Sequence, residues 1–139
     1  MRRLTISVIL MALSAGSSAT QTISVPDRYD AVAYFTSGLV DGKPVDRIDA
    51  ARLGRDHVIL YVDWENVRSR AYRTEVRIID PNGHVVGRIR NTVRPTSGGY
   101  NTYYYYRPGP GDTPGDWSYQ MFVDGRSAFE ARIPILAAE

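Results

Sequence analysis

From Tyr72 to Ile79 the chain alternates strictly: Tyr72, Thr74, Val76 and Ile78 fall on one side of an extended backbone, and Arg73, Glu75 and Arg77 on the other. A helix would mix these two sets on every face, so the segment reads as a strand half-buried in an antiparallel sheet. Asp80-Pro81-Asn82-Gly83 follows at once. Proline suits the second position of a turn, and Asn-Gly tolerates positive φ at low steric cost, so a hairpin into His84–Val93 is expected. In that returning strand Val85 and Ile89 face one way and Arg88 and Arg90 the other.

The same punctuation runs along most of the chain. Tyr29–Gly38 places Ala31, Ala33 and Phe35 on one face and Val32, Tyr34 and Thr36 on the other. Asp41-Gly42-Lys43-Pro44 is a turn signal. Residues Val45 to Asp56 are ambiguous: Ile48, Ala50 and Ala51 suit a short helical turn stopped by Gly54. His57–Glu65 has apolar residues on both faces, with Val58, Leu60, Val62 and Trp64 against Ile59 and Tyr61, as a central strand requires. Tyr100–Arg107 is a strand by its aromatic content, and Pro108–Asp116 is a loop because proline and glycine interrupt a ladder. Trp117–Asp124 alternates again, Asp124-Gly125 makes a tight turn, and Ser127–Leu136 returns with Phe129, Ala131, Ile133 and Ile135 inward. Pro134 points to an edge position or a strand end. About seven strands, no convincing helical period and turn signals every eight to twelve residues or so define an all-β antiparallel sandwich.

The first residues have a different character. Arg2 and Arg3, an apolar run from Leu4 to Leu13, and Ser17-Ser18-Ala19 have the three parts of a cleavable secretory signal. The run is too short to span a bilayer comfortably. The expected organisation is a signal peptide at 1–19, a polar lead-in at 20–28 and one domain at 29–139. Such a chain would be periplasmic or secreted, with no transmembrane segment after cleavage. Arg2 and Arg3 are the only charged residues in the signal, so the remainder has fifteen basic and fifteen acidic residues and no net charge with His neutral. The bulk positive field used for nucleic acid is absent. The chain has no Cys, which excludes disulfides, thiolate metal sites and Cys nucleophiles.

The stretch Pro114-Gly115-Asp116-Trp117-Ser118-Tyr119-Gln120-Met121-Phe122-Val123-Asp124-Gly125, followed by Phe129 and an apolar strand, resembles the closing hairpin of bacterial exported immunoglobulin-like or fibronectin-III-like domains. The strand ending in Trp64 and the Asp-Pro-Asn-Gly hairpin also fit that pattern. The resemblance spans roughly residues 29–136 and implies an immunoglobulin-like sandwich in an exported protein. The inter-sheet Cys pair of antibody domains is missing, and a sandwich by itself implies no activity.

No catalytic motif is evident. There is no Gly-x-Ser-x-Gly elbow, and Asp63 and Glu65 form the only close carboxylate pair on a strand face. His57 and His84 lack the spacing of a metal pair. Asp80, Asn82 and Gly83 match the start of a calcium loop, but the later acidic ligands are absent and a turn explains the same residues. No cofactor or metal is implied. The unusual feature is the run Tyr103, Tyr104, Tyr105 and Tyr106, which in a strand sends two rings to each face. Exposed tyrosines offer large apolar area at low entropic cost, and Arg88 and Arg90 are expected to lie beside them. The expectation is therefore a non-catalytic binding or protein-interaction module of the cell envelope, built on those six residues. Its partner would be an envelope protein or a polysaccharide, and not nucleic acid. The alternatives are a carbohydrate-binding module and a structural or chaperone-like subunit pairing by a sheet edge near Ile133–Leu136.

Overall fold

The computed structural model describes residues 21–25, 29–96 and 99–139. The expected signal peptide, 1–19, lies outside the described residues. Eleven strands follow in order: β1 Gln21–Val25, β2 Tyr29–Thr36, β3 Leu39–Val40, β4 Lys43–Pro44, β5 Ala51–Arg52, β6 Val58–Glu65, β7 Tyr72–Ile79, β8 Val85–Val93, β9 Gly99–Tyr106, β10 Gly115–Val123 and β11 Arg126–Leu136. One sheet has the order β1-β2-β6-β9 and the other β5-β11-β10-β7-β8, while β3 and β4 form a separate small hairpin. The long strands pair antiparallel, and only the short β5 runs parallel, along the end of β11. This arrangement is an immunoglobulin-like β-sandwich with seven long strands, in which one short strand crosses to pair with the last.

The two inner faces follow the alternation of the sequence. Ala31, Ala33 and Phe35 of β2 and Val58, Leu60, Val62 and Trp64 of β6 meet Val76 and Ile78 of β7, Trp117, Tyr119 and Met121 of β10, and Ala131, Ile133 and Ile135 of β11. Aromatic contacts tie the layers: the Phe35 and Tyr119 rings meet edge-on at 5.0 Å, and Tyr106 lies 5.9 Å from Trp117. Their polar tips are satisfied inside the core. Tyr119 donates its hydroxyl to the Val58 carbonyl of the other sheet at 3.1 Å, and the Trp64 indole donates to Thr102 at 2.8 Å. Because a buried unpaired polar group is costly, the Tyr119 bond fixes the relative position of the sheets, while the Trp64 bond ties β6 to β9 within one of them.

Turn chemistry sets the registers. Asp41-Gly42 and Asp124-Gly125 both have positive φ at both residues, as a two-residue hairpin turn with the right twist demands. In the Asp80–Gly83 turn, the Asp80 carboxylate accepts the backbone N–H groups of Asn82 and His84 at 2.9 Å each. A bulge between Ile78 and Ile79 then pairs Val85 with Ile79 on the outer face, while Ile89 pairs with Val76 on the inner face. The single extra residue breaks the expected common face of Val85 and Ile89.

Two other segments differ from the sequence reading. Residues 21–25 of the polar lead-in form β1, pairing Gln21 with Ala33 through Val25 with Tyr29, because a free edge of β2 offers backbone partners that a polar segment can use. The ambiguous stretch 45–56 is not helical. Ala51 and Arg52 pair with Ile135 and Leu136, and Leu53–Arg55 turn around Gly54. Tertiary pairing overrides a weak local preference there. Beyond those two rungs β11 is an edge strand, and Pro134 sits on that part of it.

Gly54 has φ +71°, and a Cβ there would stand 3.0 Å from Pro110 Cβ and 3.2 Å from Pro110 Cα. Gly42 has φ +74° with open space around it. Gly42→Ala is therefore expected to cost about 1 kcal/mol from backbone strain alone. Gly54→Ala should cost about 2–3 kcal/mol, since the proline backbone cannot step aside. Urea unfolding of both variants checks this, and equal losses would contradict it.

Candidate functional site

The tyrosine run lies on β9, at one edge of the four-stranded sheet. Period-two geometry divides it as expected. Tyr104 and Tyr106 turn inward, Tyr104 fully buried and Tyr106 half-buried against Trp117. Tyr103 and Tyr105 turn outward with 44% and 49% of their surfaces exposed. Their rings meet edge to face, with centroids 6.0 Å apart and planes at 84°. His57 flanks Tyr105 at 6.2 Å. Tyr100 pairs with Trp64 on the inner side, at the open end of the sandwich.

Register extends the outward pair across the sheet. Tyr34, Tyr61 and Tyr103 occupy one rung, and Thr36, Ile59 and Tyr105 the next. Tyr34 and Tyr61 are 5.4 Å apart, and the Arg47 guanidinium caps the Tyr34 ring at 4.1 Å. Tyr61 donates its hydroxyl to the Asn101 side-chain oxygen at 2.9 Å, and the Asn101 amide nitrogen donates to Asp63. Burial, followed by the nearby Asp63 charge, raises the pKa of the Tyr34 and Tyr61 hydroxyls. Both hydroxyls therefore stay protonated at neutral pH. The exposed pair thus stands against rings that are already packed and hydrogen-bonded.

Arg88 and Arg90 lie elsewhere. They project from the outer face of β8, at the edge of the five-stranded sheet. The expected composite of outward tyrosines and arginines does not form. The connection from β8 to β9 crosses from one sheet to the other, so the two sets occupy opposite outer faces. Of the six residues expected to bind, Tyr104 is enclosed in the core and Tyr106 largely so, which leaves Tyr103 and Tyr105 on one face and Arg88 and Arg90 on the other.

On the arginine face, Glu75 accepts from Arg90 Nε at 2.7 Å and from Arg77 Nε at 2.8 Å. The Arg90 bond first, with that of Arg77, holds the Glu75 carboxyl below its usual range against a smaller opposing cost of burial. Arg77 also covers the Phe122 ring at 4.2 Å. These groups line an open groove of about 590 Å³, together with Arg73, Asn91 and Thr92. The sequence reading missed both Phe122 as part of a groove and the Arg47–Tyr34–Tyr61–Asn101 cluster. Neither has a local motif, and each depends on which residues of distant strands share a rung.

The remaining candidates separate in space. His57 belongs to the tyrosine face, while His84 stands 3.6 Å from Asp80 in the hairpin turn of the other sheet. Asp63 is engaged by Asn101, and Glu65 lies exposed at the end of its strand.

No protein-family model matches the chain, and no curated protein matches it. Solved structures do. A β-glucosidase from Listeria innocua superposes with a TM-score of 0.53 at 7% identity, covering 84% of this chain and 17% of that one. An immunoglobulin-like protein from Pseudomonas aeruginosa gives 0.48 at 10% identity, covering 74% and 90% of the two chains. A CARDB domain from Pyrococcus furiosus, solved in complex with di-metal ions, gives 0.47 at 10% identity over 79% and 90%. At such identities the likeness is one of fold, and the strand order above carries the assignment to the immunoglobulin-like sandwiches.

Proposed function

We propose that this chain is an exported, non-catalytic interaction module that seats a protein partner on Tyr103 and Tyr105. The observation that carries the proposal is this outward pair on an edge strand, backed by the packed Tyr34 and Tyr61. Tyrosine has few rotatable bonds, so a ring already braced by its neighbours loses little entropy on binding. Such rings are the usual energetic centres of protein interfaces. Export is supported by the composition of residues 1–19. The edge-to-face geometry of the pair, with planes at 84°, offers no flat platform for stacking sugar rings, so a protein is the better occupant of this face.

The test is capture from the native envelope by mild crosslinking, with the full chain and its Tyr103→Ser/Tyr105→Ser variant side by side. A stoichiometric protein held by the first and lost by the second is expected, with the purified pair weakened about 30-fold or more. Both rings are about half exposed, so the double variant should lose no more than about 2 kcal/mol of unfolding free energy and stay folded. Retention of the same protein at equal affinity would refute the proposal. Retention of polysaccharide alone would favour the carbohydrate-binding alternative.

A further inference from the structure

The opposite outer face holds an unbalanced charge. The solvent side of β7 and β8 carries Arg73, Arg77, Arg88 and Arg90 with one carboxylate of those strands, Glu75; Arg73, Arg77 and Arg90 line the groove, and Arg88 stands opposite Arg77 outside its lining. Asp124, at the mouth of the groove, is already paired with Arg70 at 2.9 Å. Arg73 and Arg88 have no ion pair among the described residues, and both are exposed. Arg77 and Arg88 stand directly opposite each other across the two strands. Like charges in that position destabilise a sheet unless an anion lies between them. A chain whose mature part is formally neutral has therefore gathered four cations on two adjacent strands.

Guanidinium chemistry narrows the anion. The chain has sixteen arginines and one lysine, so the cationic groups of this face are planar forks, suited to two-point recognition of a carboxylate, phosphate or sulfate. Glu75 engages Arg77 and Arg90 through Nε, which orients both forks and leaves their terminal N–H groups directed away from that bond. The groove is concave, so it accommodates a chain better than the plane of a lipid headgroup layer. Its other lining groups include the Thr92 hydroxyl, the Asn91 amide and Phe122, whose ring lies under Arg77. Neutral donors and acceptors beside the guanidinium groups match a polymer rich in hydroxyls, which polyphosphate lacks.

We propose that the outer face of β7 and β8 is a docking surface for an acidic polysaccharide, whose uronate carboxylates are received by Arg73, Arg77 and Arg90 in the groove and by Arg88 beside Arg77 on the same face. This site is independent of the tyrosine face. Together the two faces would make the domain a bridge between an envelope polymer and a protein.

Calorimetry with the full chain tests it, using a galacturonate oligomer as the probe. A glucose oligomer of the same length, inorganic polyphosphate and phosphatidylglycerol vesicles serve as comparators. The galacturonate oligomer is expected to bind best and to weaken as salt is raised. Arg73→Ala and Arg88→Ala should each weaken it about tenfold. These side chains are exposed and unpaired among the described residues, so the thermal midpoint of each variant should not move. Arg88→Lys keeps the charge but not the fork, and should fall between the parent and the alanine variant. Tyr103→Ser/Tyr105→Ser should bind the oligomer as the parent does. The proposal is overturned if the galacturonate oligomer does not bind, or if the glucose oligomer binds equally well. It is also overturned if the arginine variants bind unchanged, or if polyphosphate or vesicles bind more tightly.

Discussion

Trp117→Ala is expected to remove about 4 kcal/mol of stability, the largest loss from any single truncation in this domain. The indole is fully buried on the inner face of β10, between its antiparallel partner Ile133 and the ring of Tyr106 from the opposite sheet. Its N–H donates to the Thr113 carbonyl at 2.9 Å, tying the loop before β10 to the core. Alanine would leave a cavity walled by two rigid sheets, which cannot collapse around it. It would also strip that loop of its anchor. Trp117→Phe should recover roughly half of the loss, since it keeps most of the ring but not the donor. Urea unfolding with an unchanged m-value would measure both. A loss below about 1.5 kcal/mol for Trp117→Ala would mean that the two sheets are able to close over the gap and are not rigid walls.

Tyr104→Ala should cost about 3–4 kcal/mol, whereas Tyr103→Ala and Tyr105→Ala, at half-exposed positions, should each cost only about 1 kcal/mol. The contrast is sharp because the three residues are consecutive and chemically identical. Tyr104 is enclosed between the sheets, and its hydroxyl donates to Thr74 Oγ1 of β7 at 2.9 Å. Burial raises the pKa of that hydroxyl, outweighing the hydrogen bonds with Thr102 and Thr74, so it remains a donor across neutral pH. Tyr104→Phe isolates the polar part and should cost about 1 kcal/mol. Partner binding should show the reverse pattern, with folded Tyr104→Phe binding as the parent does and the exposed pair carrying the affinity. If the tyrosine pattern were inverted, with Tyr103→Ala the more destabilising, the register between β6 and β9 would be shifted by one residue.

The two outer faces have opposite characters because the core leaves each sheet a free side. The four-stranded sheet uses that side to pack Tyr34, Ile59 and Tyr61, which are nearly or fully buried although they point away from the core. Exposure then falls on the last strand, β9, where no further strand covers Tyr103 and Tyr105. The five-stranded sheet instead presents a charged surface, and its aromatic residue Phe122 lies beneath an arginine. The edge expected near Ile133–Leu136 for strand-pairing assembly is partly closed by β5, which covers Ile135 and Leu136.

Local chemistry was enough to determine the strands and most of their faces. Alternation from Tyr72 to Ile79 and from Trp117 to Val123 assigns core and surface without any knowledge of partners, because a pleated strand has period two. Asp41-Gly42 and Asp124-Gly125 mark hairpins because few other residues accept positive φ, while in Asn82-Gly83 the glycine alone takes it. The division of the tyrosine run into two inward and two outward rings follows from the same period. What lay beyond the sequence was decided by long-range pairing. The crossing from β8 to β9 puts Arg88 and Tyr103 on opposite faces although they are close in the chain. A one-residue bulge sends Val85 outward, and Ala51 becomes a strand residue only because Ile135 is there to receive it. The arginine groove arises where Glu75, Arg90 and Phe122 share a rung. Register between segments far apart in sequence is set by the whole core at once, so no single stretch of sequence carries it.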